Sequence, residues 1–186
     1  MLLKSKEIAV TGLLMALGVL LISLGGYVES STLFFLAAAA FLAGIIERNF
    51  SLLTAVFYMA GTVLLGLFFS PQKLYCLTFA AFSIYIIIAQ YLEGWLQKGK
   101  KLSIMTVWLV KAVSYHVLLI AGGIIVHAIW GLDMIFATRW LQELKQNYLI
   151  LFIVVVFVVC EIGWICFDRA YLFFIRRYGH YFSLHE

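Results

Sequence analysis

Long apolar runs separated by short polar breaks set the pattern of this chain. The runs extend from about Ile8 to Gly26, Ser31 to Ile46, Ser51 to Phe69, Leu74 to Leu92, Ile104 to Trp130 and Tyr148 to Phe174. Each approaches the ~20 apolar residues a helix needs to cross bilayer hydrocarbon, the second being the shortest. The dyad alternation that marks a membrane barrel does not compete with this reading. The pattern therefore predicts an all-α, polytopic membrane protein: a six-transmembrane-helix bundle forming one integral membrane domain over residues 1–186.

Composition points the same way. The chain is 65% hydrophobic, 17% aromatic and only 12% charged, with a mean hydropathy of +1.07. That is more apolar surface than a 186-residue domain hides in one aqueous core. The net charge of +4 does not point to nucleic acid, because Lys and Arg stand singly or in short groups between the apolar runs. They read as orientation signals. Lys4, Lys6, Arg48, Lys98, Lys100, Lys101, Arg176 and Arg177 fall on one side of the expected bundle, and Lys73, Arg139 and Lys145 on the other. The excess of positive charge places both termini in the cytoplasm, and a multi-pass position in a bacterial cell membrane is expected.

The first run also has the look of a secretory signal, with two lysines before an apolar stretch and SLGGY after it; it is read as a retained span. Cys76, Cys160 and Cys166 lie in or beside apolar runs. The latter two are separated by about 9 Å of helical rise, too far for a disulfide, and all three read as small apolar groups.

One stretch imitates a nucleotide site. Residues 94–101, GWLQKGKK, match the start of the phosphate-cradling pattern G-x-x-x-x-G-K but put Lys101 where the metal-binding Ser or Thr belongs. Such a loop works by joining a buried strand to a helix. This one follows a membrane span, so it reads as a basic loop near lipid headgroups. Neither a G-x-S-x-G elbow nor an H-E-x-x-H pair occurs, and no enzymatic activity, resident cofactor or metal is expected.

Ionisable residues inside hydrocarbon are costly and need partners. Lys111, His116, His127, Glu161 and Asp168 qualify. Counted along helices at ~1.5 Å per residue, Lys111 lies roughly 12 Å from the cytoplasmic end of its span, Asp168 roughly 9 Å and Glu161 roughly 20 Å. Lys111 and Asp168 are the level-matched intramembrane pair, with Glu161 the looser candidate; a proton or ion relay through these groups is the other use. His116 and His127 share a helix face but stand ~16 Å apart, too far to clamp one metal or haem. Arg169 reads as a neighbour that snorkels toward the headgroups.

The first span, KSKEIAVTGLLMALGVLL, carries Gly12 and Ala16 one turn apart, a small-residue surface that lets another helix approach closely. That face either packs inside the bundle or docks a partner. The lysines before IAVTGLLMAL, the Gly12 and Ala16 pair, and six spans in so short a chain resemble the substrate-binding S components of energy-coupling factor (ECF) transporters. Weaker likenesses run through SSTLFFLAAAAFLAGIIERNF, SPQKLYCLTFAAFSIYIIIAQYLEG and FDRAYLFFIRRY, similar to a Gram-positive group of such proteins. The family's first span usually carries Ala-x-x-x-Ala; here Gly12 takes the first place. The resemblance implies a subunit that binds a scarce small molecule, often a vitamin, at the outer face. It would dock through Gly12 and Ala16 on a transmembrane coupling protein that carries two cytoplasmic ATPase subunits.

The expected ligand site lies at the outer ends of the spans, where Tyr27, Glu29, Gln72, Lys73, Tyr75, His127, Trp130, Asp133, Arg139 and Trp140 converge. His127 with the aromatic residues would suit a flat ring, haem-like or flavin-like. Leu132, Ile135, Phe136, Trp140, Leu141 and Leu144 recur at near-helical spacing and suggest an amphipathic outer lid. Two other functions compete: a membrane assembly subunit without a ligand, and a proton-coupled carrier using Lys111, Glu161 and Asp168. The chain lacks an evident inverted repeat, which weighs against the carrier.

Overall fold

A computed structural model describes residues 5–97, 103–130 and 149–178. They form α1 (Ser5–Tyr27), α2 (Thr32–Asn49), α3 (Leu52–Phe69), α4 (Lys73–Gln97), α5 (Ile104–Trp130) and α6 (Leu149–Tyr178), with one 3-10 turn, Glu29–Ser31, between α1 and α2. All six helices are long and apolar enough to cross a membrane, and no strand occurs among the described residues. The chain is thus an all-α, multi-pass helical bundle. The shortest expected span gains its length at its far end, where α2 runs on through Glu47, Arg48 and Asn49.

Short joints fold the first four helices back on one another. Thr32 closes the α1–α2 corner by donating its hydroxyl to the Gly25 carbonyl at 2.7 Å. Ser51 caps α3, its side chain accepting from the Thr54 amide, which satisfies one of the free N–H groups of a helix start. The Thr54 hydroxyl then donates to Glu7 Oε1 at 2.7 Å and ties the beginnings of α1 and α3 together. At the opposite end of the bundle Gly26 gives room to the Pro71 ring, since a Cβ there would overlap it. The end holding Gly26, Thr32 and Pro71 is called the upper end below, and that holding Glu7, Ser51 and Gln97 the lower end.

Because lipid and protein interior are both apolar, residue size rather than polarity sorts the two faces of each helix. In α1 the buried stripe is Thr11, Leu14, Gly18, Ile22 and Gly25, while Leu13, Leu17, Leu20 and Leu24 face outward. Gly18 is required: a Cβ would fall on the Tyr58 hydroxyl, which donates to the Ala39 carbonyl at 2.8 Å. The alanine-rich α2 is the hub, buried from Ala39 to Ile46, because small side chains let α1, α3 and α4 pack against it from several sides. Gly44 makes the same concession to α6, since a Cβ there would collide with the Tyr171 hydroxyl.

The last two helices are held differently. Helix α5 leans on α4, and α6 touches α2, but most of their outward side chains are exposed, including Ile120, Ile124, Ile150 and Val154. Large aromatic residues keep them apart from the four-helix body and from each other. The space this leaves is the site described next.

A cavity above a buried ionic network

The lower half of the α4–α5–α6 region is polar, and its central charges are buried. Lys111 of α5 is 2% exposed and Asp168 of α6 is 0% exposed. The Lys111 ammonium donates to Asp168 Oδ1 at 3.1 Å and to Glu93 Oε1 of α4 at 2.9 Å. Asp168 Oδ1 also accepts from the Tyr85 hydroxyl at 2.8 Å, and the Tyr85 oxygen accepts from Trp164 Nε1 at 2.8 Å. Deeper on the same side, the Tyr171 hydroxyl donates to Gln90 Oε1. Buried charges persist only with several such partners, since desolvation otherwise outweighs their attraction. One oxygen, Asp168 Oδ2, is buried without a hydrogen-bond partner.

The two acidic candidates of α6 therefore part company. Asp168 takes Lys111, whereas Glu161, two turns higher, lies 2.9 Å from His116 Nε2 and does not join Lys111. The other ring nitrogen of His116 is 2.8 Å from the Ala112 carbonyl. Arg169 stacks its guanidinium 5.2 Å from the Trp108 ring centre, a cation–π contact that covers part of its charge.

Above this network lies a cavity of about 590 Å³ between the upper halves of α2, α4, α5 and α6. Its floor is aromatic. Tyr115 and Trp164 stack at 5.5 Å with an interplanar angle of 15°, Phe167 packs at 4.7 Å from Phe82, and Tyr85 joins the floor to the ions beneath. Its walls mix leucines and valines with small residues, Ala37 on α2, Ala81 on α4, Gly122 and Gly123 on α5, and Gly163 on α6. The volume falls within the range of small-molecule sites, roughly 300–1,000 Å³.

None of Tyr27, Glu29, Gln72, Lys73, Tyr75 and His127 lines this cavity. Tyr27 and His127 are exposed, as is Glu29 in its turn; Tyr75 packs against the core of the four-helix body. Lys73 binds back to the Leu67 and Ser70 carbonyls and closes the end of α3, which is what a cation at a helix C-terminus does. Trp130 ends α5. Asp133, Arg139, Trp140 and the rest of the proposed lid lie outside the described residues, as do Lys98, Lys100 and Lys101 of the phosphate-loop lookalike, whose first part, GWLQ, continues α4.

Gly12 and Ala16 lie on the outside of α1, both exposed, and a Cβ on Gly12 would meet nothing within 4 Å. The helix packs inside the bundle through Gly18 and Gly25 instead.

Residue patterns could have exposed part of what was missed. Glu93 enters the network because α4 continues to Gln97, past the Leu92 boundary expected from hydropathy. The glycines of the cavity wall were legible only as letters, since nothing in the sequence distinguishes a glycine that receives a neighbour from one that leaves a void. No protein-family model, curated protein or solved structure matches the chain.

Proposed function

We propose that the chain is the substrate-binding membrane subunit of an ATP-driven importer of the energy-coupling factor type. It holds a small molecule in the cavity between α2, α4, α5 and α6 and depends on a separate coupling protein with two cytoplasmic ATPases for the energy of transport. The observation that carries this reading is the chamber itself: about 590 Å³ of open volume resting on a buried ionic network in which Lys111 is clamped by Glu93 and Asp168. A molecule seated there is held from one side and cannot continue through this subunit without breaking those contacts. Release on the other side then calls for movement of the whole bundle against a partner, and the uncovered Gly12 and Ala16 on α1 supply a surface of the right kind. With Lys4, Lys6, Arg48, Arg176 and Arg177 in the cytoplasm, the chamber opens toward the outside of the cell.

The test separates holding from transport. The protein is purified from native membranes, bound molecules are identified by mass spectrometry, and cellular uptake of that molecule is measured with and without Gly12→Leu plus Ala16→Leu. The proposal expects a copurifying molecule that the double variant retains while uptake is lost. A chain that copurifies with nothing supports an assembly subunit, and uptake that follows the proton gradient and survives ATP depletion supports a carrier; either result overturns the importer.

A further inference from the structure

The chemistry of the cavity wall restricts what it can hold. Among the described residues that line it there is no Asp, Glu, Lys, Arg or His. The few polar groups present already have partners: the Thr78 hydroxyl donates to the Leu74 carbonyl at 3.2 Å, that of Tyr115 to the Cys160 carbonyl at 2.9 Å and that of Tyr85 to Asp168, while Trp164 Nε1 donates to Tyr85. With every donor committed, a ligand carboxylate or phosphate placed among them would lose water and find no free N–H or O–H in return, which is strongly unfavourable.

The wall is also thinner than packing demands. Gly18, Gly26 and Gly44 each receive a neighbouring ring or hydroxyl, but a Cβ added at Gly122, Gly123 or Gly163 would meet nothing within 4 Å. Glycine inside a helix costs about 1 kcal/mol relative to alanine, and these three yield no contact with the described residues in exchange. What they leave is depth beside an aromatic floor. Lipid-facing positions of the same helices carry bulky side chains instead, Ile120 and Ile124 on α5 and Val155 and Ile162 on α6.

We infer that the cavity takes an uncharged, largely hydrocarbon small molecule, seated against the Tyr115–Trp164 stack and between the glycines of α5 and α6. This rests on the binding-subunit reading and specifies its substrate class. It points away from the haem-like and flavin-like rings suggested by the outer residues, because haem carboxylates and the carbonyls of a flavin would find no free donor among these lining residues.

Two retinoids with nearly the same hydrocarbon and different charge make the probe. The full-length protein is placed in phosphatidylcholine nanodiscs, and saturable energy transfer from tryptophan to all-trans retinol is measured after subtraction of empty discs, then repeated with retinoate in competition. Retinol is expected to bind saturably and retinoate about tenfold more weakly or worse, given the cost of burying an unpaired carboxylate. Gly163→Leu and, on the opposite wall, Gly123→Leu are each expected to weaken retinol binding about tenfold or more, since either side chain fills the chamber. Leu64→Ala on the outer face of α3 leaves it unchanged. Equal binding of the two retinoids, or retention of retinol by both filled variants, overturns the inference. Mass spectrometry of the native protein tells this failure from that of the broader reading. A charged molecule displaced by Gly163→Leu refutes the substrate class and leaves the binding subunit standing. Phospholipid as the sole displaceable occupant, or no occupant together with no retinol binding, refutes both.

Discussion

Removing the buried cation at the foot of the cavity should cost more than removing the whole pair. Lys111 is clamped between Asp168 and Glu93 at 3.1 and 2.9 Å, and with Asp168 fully buried a Lys111→Met substitution leaves a carboxylate in an apolar interior with only the Tyr85 hydroxyl to oppose it. Deleting one member of a buried pair typically costs about 3–5 kcal/mol, because the partner's desolvation is no longer offset. Adding Asp168→Asn removes that stranded charge while keeping an oxygen for Tyr85 to donate to. The remaining carboxylate, Glu93, has a side chain 26% exposed and can turn toward water. The double variant is therefore expected to recover most of the loss, leaving it within about 1–2 kcal/mol of the parent; since Asp168→Asn alone also carries a cost, the coupling energy is expected to be at least roughly 2 kcal/mol in magnitude. Reversible unfolding of the four proteins by increasing mole fraction of SDS in mixed micelles supplies the cycle. If Lys111→Met unfolds within about 0.5 kcal/mol of the parent, or if the two losses simply add, the network is not the buried charge cluster described here.

Other substitutions separate required from unrequired glycines. Gly44→Ala drives a methyl group into the Tyr171 hydroxyl and Gly18→Ala one into that of Tyr58; each should destabilise by about 1–3 kcal/mol in the same unfolding assay. Gly12→Ala meets open space and should be neutral or stabilising by up to about 1 kcal/mol through helix propensity. Thiol accessibility checks the packing directly: in detergent, a small apolar maleimide should label exposed Cys166 rapidly and reach buried Cys76 only as the protein unfolds. Early labelling of Cys76 would contradict the packing of α4 in the four-helix body.

How far these features were legible in the sequence depends on which physical rule set them. Helix existence follows from the cost of unpaired backbone groups in hydrocarbon, and the six runs became six helices. The pairing of Lys111 with Asp168 follows from helical rise alone, because two costly groups at one depth seek each other. The same arithmetic left Glu161 as a looser candidate for Lys111, and the structure gives it His116 instead, five residues further along α5. Glu93 escaped because hydropathy ends a span where the chain turns polar, whereas the helix itself continues. The cavity escaped for a deeper reason. Charged and aromatic residues near span ends invite a polar pocket there, but the open volume lies lower, among alanines and glycines whose meaning depends on what stands opposite. Gly12 and Gly18 look alike as letters, yet one faces outward and the other receives Tyr58.

The central claim is that another protein moves this one, so the most direct measurement is site-specific cross-linking in living cells. Cysteines introduced in place of Gly12 and Ala16 carry a short photoreactive group, and the adducts are separated by mass. Since no segment of the described bundle covers Gly12, the account predicts adducts with a second, different membrane polypeptide that disappear when the face is blocked by Leu13→Trp. Adducts confined to the chain itself or to lipid would contradict it.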